Sequence, residues 1–155
     1  RFGPVSVSRD YSDLSRHLIA STLLRHSQAR ELALLVRPRT PPPLGPVHVP
    51  GCEPHAHDIQ PADFKEVCEL VADIELDRRD VPVLLRQYLN LGGQLLAFSI
   101  DRRFGQVMDG LIVVDLLGSD RRTLQRYMGA AGARALEAYH GRGRTAGPSE
   151  VRLAG

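Results

Sequence analysis

The hydrophobic pattern at the start of the chain changes from alternation to helical spacing. Val5 and Val7 alternate with serines, which predicts a short, half-buried strand over residues 2–8. From residue 12 to about residue 36 the apolar residues recur at helical intervals, which predicts one amphipathic helix, or two with a break near Ser27. The apolar positions are Leu14, Leu18, Ile19, Leu23, Leu24, Ala29, Leu32, Leu35 and Val36.

Further helices are predicted in the second half of the chain, over residues 61–75, 83–91 and 120–140. In each of them the apolar residues share one face at a spacing of three or four. Gly129 and Gly132 weaken the middle of the last helix, because glycine is a poor helix former.

Two apolar runs, residues 94–100 and 110–116, predict buried strands. The loop between them, 101–109, is too short for a helical crossover, so the pair is expected to be antiparallel. The predicted fold class is α/β (α+β), with a small mixed sheet that contains this antiparallel pair and is flanked by helices.

The domain organisation follows from length and composition. The 155 residues suffice for one domain with a real core. We expect this domain to span residues 1–140, with a proline-rich loop at 38–54 and a flexible, Gly- and Arg-rich tail at 141–155. The chain begins with Arg1 rather than methionine, which favours a fragment of a longer protein.

Composition excludes several classes of protein. A hydrophobic fraction of 43% is too high for a disordered chain, and two cysteines are too few for a disulfide scaffold. A net charge of +2 gives no strong signal for a polyanion, so no nucleic acid partner is expected. The sequence shows neither the roughly 18 consecutive apolar residues of a membrane span nor a signal peptide, so a cytoplasmic location is expected.

One cluster contains metal-ligand residue types, namely Cys52, His55, His57 and Asp58. Its spacing matches no pair-of-pairs zinc pattern, and no second pair stands nearby. We therefore interpret it as a polar loop and expect no metal, with a metal-dependent protein as the weaker alternative. The sequence contains no Walker, G-x-G-x-x-G, G-x-S-x-G or H-x-x-x-x-D motif.

Acidic residues bracket the two predicted strands of the second half, at Asp101, Asp109 and Asp115. A half-buried carboxylate at a strand end can act as a base or orient an amine, and it can equally cap a turn. Tyr11, just after the first strand, can donate a proton to a leaving thiolate. Both interpretations of the aspartates stay open at this point.

The segment from residue 82 to residue 116 resembles the hemolysin-like, ornithine-lipid-type N-acyltransferases of the GNAT superfamily. In these proteins an L-L-x-x-Y-L-x-L-G helix leads into a strand, a D-x-x-F loop and a second apolar strand opened by aspartate. Residues 1–36 also resemble the family's fifth strand and the helix after it. The matching positions in the longer segment are Leu84, Leu85, Tyr88, Leu89, Leu91, Gly92, Asp101, Phe104 and Asp109.

This resemblance implies a partial GNAT-like fold that transfers a fatty acyl group to a small amine such as ornithine. The implied acyl donor is acyl-acyl carrier protein or acyl-CoA, and the implied setting is bacterial lipid metabolism, in the cytoplasm with peripheral contact at the inner membrane. Asp109, Asp101 and Tyr11 are the candidate catalytic residues. The family's pyrophosphate loop has no counterpart in residues 1–155, so the chain resembles the C-terminal half. A non-catalytic lipid- or carrier-binding module is the alternative.

Overall fold

The computed structural model describes residues 2–44 and 61–144. The chain forms two compact units, Arg1–Asp115 and Leu116–Gly155. The elements of the first unit are β1 (Phe2–Val7), α1 (Asp13–His26), α2 (Arg30–Ala33), α3 (Phe64–Ile74), α4 (Val83–Asn90), β2 (Gln94–Asp101) and β3 (Val107–Val113). The second unit contains α5 (Arg121–Arg144). The expected division into one domain over residues 1–140 and a tail over residues 141–155 stays a prediction.

The described strands form one sheet in the order β1–β3–β2, and both neighbouring pairs are antiparallel. The predicted mixed sheet is therefore wrong. The remaining described strand, β1, had to supply a parallel pair for a mixed sheet, and it too runs antiparallel to its neighbour β3. The one parallel bridge among the described residues joins Leu95 of β2 to Gln28, which belongs to no strand.

The predicted antiparallel pairing of the two apolar runs is confirmed, but the second strand begins and ends earlier than predicted. It spans Val107–Val113 rather than residues 110–116. Val113 pairs with Phe2 on one side and with Gln94 on the other, and these are the first residues of β1 and β2. The partner strands therefore set the end of β3, while the apolar run continues past it.

Of the two alternatives predicted for residues 12–36, the structure has the one with a break near Ser27, because α1 ends at His26 and α2 begins at Arg30. The backbone then leaves the helix to bond to the free edge of β2. Leu95 donates its N–H to the carbonyl of Ser27 at 2.7 Å, and Ala29 donates to the carbonyl of Leu95 at 2.9 Å. These two bonds cover part of an edge that would otherwise expose unpaired backbone groups.

The helix predicted from residue 61 begins at Phe64 because Asp63 caps it. The Asp63 carboxylate accepts the N–H of Glu66 at 2.9 Å, and the Glu66 carboxylate accepts the N–H of Ala62 at 2.7 Å. The arrangement differs from a capping box in one respect, because Glu66 accepts from the residue before the cap rather than from the cap itself.

The last predicted helix is not continuous. Gly129 has φ 75° and ψ 164°, which are non-helical values, and α5 is broken there. Arg121 and Glu137 nevertheless form an ion pair at 3.4 Å, although a straight helix would hold them roughly 24 Å apart. The two halves of α5 therefore fold back on each other, and glycine permits the positive φ at the turn.

Alternation along β3 gives the sheet an inner and an outer face. Met108, Gly110 and Ile112 are buried on the inner face, while Asp109 and Leu111 are half-buried on the outer face. In the helical layer, α1 packs against α3 and β2. The largest fully buried side chains are Leu18, Ile19, Leu23, Leu85, Leu95, Leu96, Met108, Ile112, Val5, Val7, Val67 and Val71.

Gly110 on the inner face leaves room for the ring of Phe98, its partner in β2. A Cβ atom at Gly110 would lie 2.6 Å from Cε1 of Phe98 and 3.4 Å from Cδ1 of Leu95. We expect Gly110→Ala to lower the free energy of unfolding by about 1–3 kcal/mol, because the buried ring must shift. Urea unfolding measures this change. Gly141→Ala is the control, since no atom lies within 4 Å of the added methyl group; an equal loss in the control would contradict the packing argument.

Candidate functional site

Asp109 lies in the middle of β3, at the centre of the outer face. It pairs with Ser6 of β1 and with Ser99 of β2. We call these three residues the outer row. The hydroxyl of Ser6 donates to Oδ1 of Asp109 at 2.5 Å. A carboxylate can accept about four hydrogen bonds, so Asp109 keeps acceptor capacity with which to hold a cation or take up a proton.

The two serines of the outer row have different partners. While Ser6 donates to Asp109, the hydroxyl of Ser99 accepts the N–H of Thr40 at 3.2 Å and lies 3.4 Å from the carbonyl oxygen of Thr40. Ser99 therefore fastens the segment after α2 to the edge of β2. Asp109 is left as the charged group at the centre of the row.

Asp101 stands at the end of β2, where its carboxylate caps the following turn. Its Oδ1 accepts the N–H of Arg103 at 2.8 Å and the N–H of Phe104 at 3.1 Å. In the ladder Asp101 pairs with Val107, two residues before Asp109. Both aspartates therefore project from the outer face. These two hydrogen bonds from backbone N–H groups fit the second interpretation of the aspartates, in which the carboxylate caps a turn.

Tyr11 follows β1, and its hydroxyl donates to the backbone carbonyl of Asp80 at 2.6 Å. The guanidinium of Arg79 lies 5.4 Å from the centre of the tyrosine ring, within the range of a cation–π contact. Burial raises the pKa of Tyr11, and the negative charges of Glu75 and Asp80 add to the increase, although Arg79 opposes it. A raised pKa makes the phenol a weaker acid at neutral pH.

The structure therefore places the two aspartates on one face of the sheet and Tyr11 elsewhere. Within residues 2–44 and 61–144, no hydrogen bond joins Tyr11 to either carboxylate. The sequence interpretation overlooked Ser6, the direct partner of Asp109. The alternation of Val5 and Val7 with serines could have placed Ser6 on the outer face, but its partner depends on a strand about a hundred residues away.

Glu75 is a buried carboxylate near Tyr11 that the sequence interpretation also missed. It is 7% exposed and accepts the N–H of Ser12 at 2.9 Å. Burial alone would raise the pKa of Glu75, but hydrogen bonds from the Ser15 hydroxyl and from the N–H and hydroxyl of Ser12 outweigh it and lower the pKa. The carboxylate thereby joins the end of α3 to the start of α1.

This pairing predicts a dependence of stability on pH. Because the pKa of Glu75 is lower in the folded state than its ordinary value of 4.5, its contribution is complete above that value and is lost as the pH falls through the folded pKa. We expect urea unfolding of the wild-type chain to show a steeper loss of stability below about pH 4.5 than Glu75→Gln does. Identical pH profiles for the two proteins would show that Glu75 is not the group responsible.

The predicted polar cluster at Cys52, His55, His57 and Asp58 lies outside the described residues. Among the residues that are described, no group of three or more His, Cys, Asp or Glu side chains could hold a metal ion. Burial raises the pKa of the Cys68 thiol to about 11. The protonated thiol is a poor nucleophile at neutral pH.

Comparisons with known proteins do not assign the chain. No protein-family model matches the sequence, and neither the curated proteins nor the solved structures give a match. No helix in the described part of the chain is both long enough and apolar enough to cross a membrane.

Proposed function

We propose that the chain is the acceptor-binding, C-terminal part of an N-acyltransferase. The complete enzyme transfers a fatty acyl group from acyl carrier protein or acyl-CoA to a small amine such as ornithine. The observation that carries the proposal is the carboxylate of Asp109, half-buried at the centre of the outer face and bonded there to Ser6.

The chemistry of the reaction explains why a carboxylate is needed. A primary amine with a pKa near 10 is protonated at neutral pH, and only the neutral amine attacks a thioester. A carboxylate binds the ammonium group and takes one of its protons, and the neutral amine then attacks the thioester carbon to form the C–N bond. When the tetrahedral intermediate collapses, the nitrogen gives up a second proton and the C–S bond breaks. The leaving thiolate takes up that second proton, and the first passes from the carboxylate to solvent. Asp109 has the charge and the acceptor capacity for the first two steps.

The resemblance to the hemolysin-like N-acyltransferases supports the proposal through one continuous segment. Residues 82–116 form α4, a glycine turn, β2, the Asp101 turn and β3, in the order that the resemblance implies. Within residues 2–44 and 61–144, no glycine-rich turn leads from a strand into a helix, as a pyrophosphate site requires. The proposal therefore assigns only the acceptor side to the described residues.

A non-catalytic lipid- or carrier-binding module is the second candidate. This candidate is favoured because the other two candidate catalytic residues have structural hydrogen bonds. Asp101 caps a turn, and the Tyr11 hydroxyl donates to a backbone carbonyl. A domain that binds a thioester without turnover would need neither group for chemistry. Peripheral contact with the inner membrane is an expectation of both candidates.

The experiment that separates the two candidates offers decanoyl-CoA or decanoyl-acyl carrier protein together with ornithine to the full-length enzyme of which, on this proposal, the chain is a part. Release of thiol and formation of N-acyl ornithine, followed by mass spectrometry, are the results expected of the acyltransferase. Saturable binding of the thioester without product would support the binding module. If the protein neither binds the thioester nor forms product, both candidates fail.

A further inference from the structure

A cavity of about 700 Å³ lies in the first unit, between α1, the β2–β3 turn and the segment from Thr40 to Leu44. We call it the proline cavity, because Pro41, Pro42 and Pro43 form one wall. Ile100 and Met108 contribute to its apolar lining. Met108 and Asp109 are consecutive in β3 and face opposite sides of the sheet. The proline cavity is therefore distinct from the outer row, and an inference about it goes beyond the proposed function.

The proline wall is fixed to the sheet. Ile100 donates its N–H to the carbonyl of Thr40 at 2.7 Å, and Thr40 donates its N–H to the hydroxyl of Ser99 at 3.2 Å. The three prolines that follow have their φ angles restricted by their rings. A wall held in this way loses little conformational freedom when a ligand binds, which favours affinity.

Arg16 is the principal charged group of the proline cavity, and most of its donors are uncommitted. Its side chain is only 13% exposed. Nη2 donates to the carbonyl of Gln106 at 3.0 Å, whereas Nε is buried and has no hydrogen-bond partner. Nη1 lies 3.9 Å from Oδ1 of Asp13, beyond hydrogen-bond distance, and the Asp13 side chain is 95% exposed. A half-buried guanidinium with so few acceptors is matched by an anion with planar oxygen pairs.

Two neighbours strengthen this match. Arg102 adds a second positive charge to the lining, so the two arginines outnumber the one carboxylate, Asp13. His17 also lines the cavity, and its Nδ1 is buried without a hydrogen-bond partner. Burial lowers the pKa of His17, so the ring is neutral at pH 7 and adds a polar contact but no charge.

The backbone that holds Arg16 is itself unusual. Gln106, whose carbonyl accepts from Arg16, has φ 57°, in the left-handed region that residues other than glycine seldom adopt. Such positions persist only where the surrounding structure holds them, and they are common at binding sites. Here the turn directs a carbonyl at the guanidinium and fixes its position beside the cavity.

From this lining we infer that the proline cavity binds a small carboxylate that carries an apolar stem. Its carboxylate pairs with Arg16 and is attracted by Arg102, while the stem lies against the prolines, Ile100 and Met108. A neutral amide of the same shape offers the guanidinium one uncharged acceptor oxygen in place of two charged ones. A carboxylate without a stem leaves the apolar wall uncovered. The site therefore selects for both parts of the ligand.

The test uses the complete chain, with octanoate as the probe and octanamide and acetate as matched partial ligands. Calorimetry measures affinity, and NMR spectra record backbone amides and the Nε–H group of Arg16. Octanoate is expected to bind saturably and to shift the signals of Arg16, Gln106 and Ile100. Octanamide and acetate should each bind at least about tenfold more weakly, the ratio expected for loss of a charge-assisted hydrogen bond or of the apolar contact.

Two variants and one control locate the site. Arg16→Lys keeps the charge but loses the planar fork, and its affinity for octanoate should fall about tenfold to a hundredfold. Arg102→Gln should weaken binding severalfold, since a nearby charge contributes less than a direct pair. Arg30→Lys, an exposed arginine of α2 that does not line the cavity, should bind octanoate as the wild type does.

Three results would overturn the inference. They are the absence of saturable octanoate binding, octanamide binding as tight as octanoate binding, and signal shifts confined to residues away from the proline cavity. If Arg16→Lys does not fold, Arg102→Gln decides, because its exposed side chain is dispensable for packing. Wild-type affinity in Arg102→Gln would then count against the site.

Discussion

Replacing Ile112 with alanine should lower the free energy of unfolding by about 2–5 kcal/mol. Ile112 is fully buried in the central strand of the sheet, between Gly3 of β1 and Leu95 of β2. Its Cγ2 atom would lie only 3.0 Å from a Cβ atom at Gly93, so it also packs against the turn that precedes β2. Truncation leaves a cavity that neither neighbouring strand can fill without breaking the ladder.

Leu76→Ala is the matched control for this prediction. The Leu76 side chain is fully exposed, and its removal should change stability by no more than about 0.5 kcal/mol. Urea unfolding of both variants beside the wild type gives the comparison. Since a domain of this kind is stable by only about 5–15 kcal/mol, the Ile112 variant should lose a large share of its margin. If the two variants lost similar amounts of unfolding free energy, Ile112 would not belong to the hydrophobic core.

Asp109→Asn should reduce the rate of amine acylation by about 10²- to 10⁴-fold, the usual contribution of a general base. Asparagine keeps the shape of the side chain and an oxygen that can accept from the Ser6 hydroxyl. It loses the negative charge that binds an ammonium group and the basicity that removes its proton. The prediction applies to initial rates of N-acyl ornithine formation.

The control for this variant is Asp73→Asn, which removes a carboxylate that is 71% exposed on α3. Its rate should equal that of the wild type. Urea unfolding of Asp109→Asn distinguishes a lost charge from a lost fold. A folded Asp109→Asn protein with the wild-type rate would remove Asp109 from the reaction and leave the binding module as the better candidate.

Local pattern predicted most of the elements correctly, because each rests on neighbouring residues. The break near Ser27 and the antiparallel pairing of the two apolar runs are examples. The pairing of β1 with β3 could not be predicted in this way, since the two strands are separated by most of the first unit and only the folded chain brings them together. The same long-range pairing fixes the end of β3 at Val113.

The last helix shows a different limit. The apolar spacing on both sides of Gly129 remains helical, so periodicity alone predicts one continuous helix. Gly129 and Gly132 indicate that the middle of the helix is weak. The same pattern, however, is expected for a weakened but continuous helix and for two helices that fold back on each other. The ion pair between Arg121 and Glu137 distinguishes them, and it is visible only in the structure.

For the candidate site, the sequence identified residue types but not their partners. The sequence marks Asp109 by its place beside an apolar strand, but its bond to Ser6 depends on the register between β1 and β3. Asp101 had the same kind of sequence context, yet its carboxylate is used by the turn that follows. In the sequence pattern Arg16 is one polar position on a helix, and nothing local marks it out, because the acceptor that holds it belongs to a distant turn.

The proposed function requires that the outer row of Ser6, Asp109 and Ser99 binds an amine. Titration of the isotope-labelled chain with ornithine, followed through its backbone amide signals, measures this binding. We expect saturable shifts at these three residues in the wild type and their loss in a folded Asp109→Asn variant. If the outer row shows no saturable shifts, or if the shifts are equal in that variant, the outer row is not an amine site.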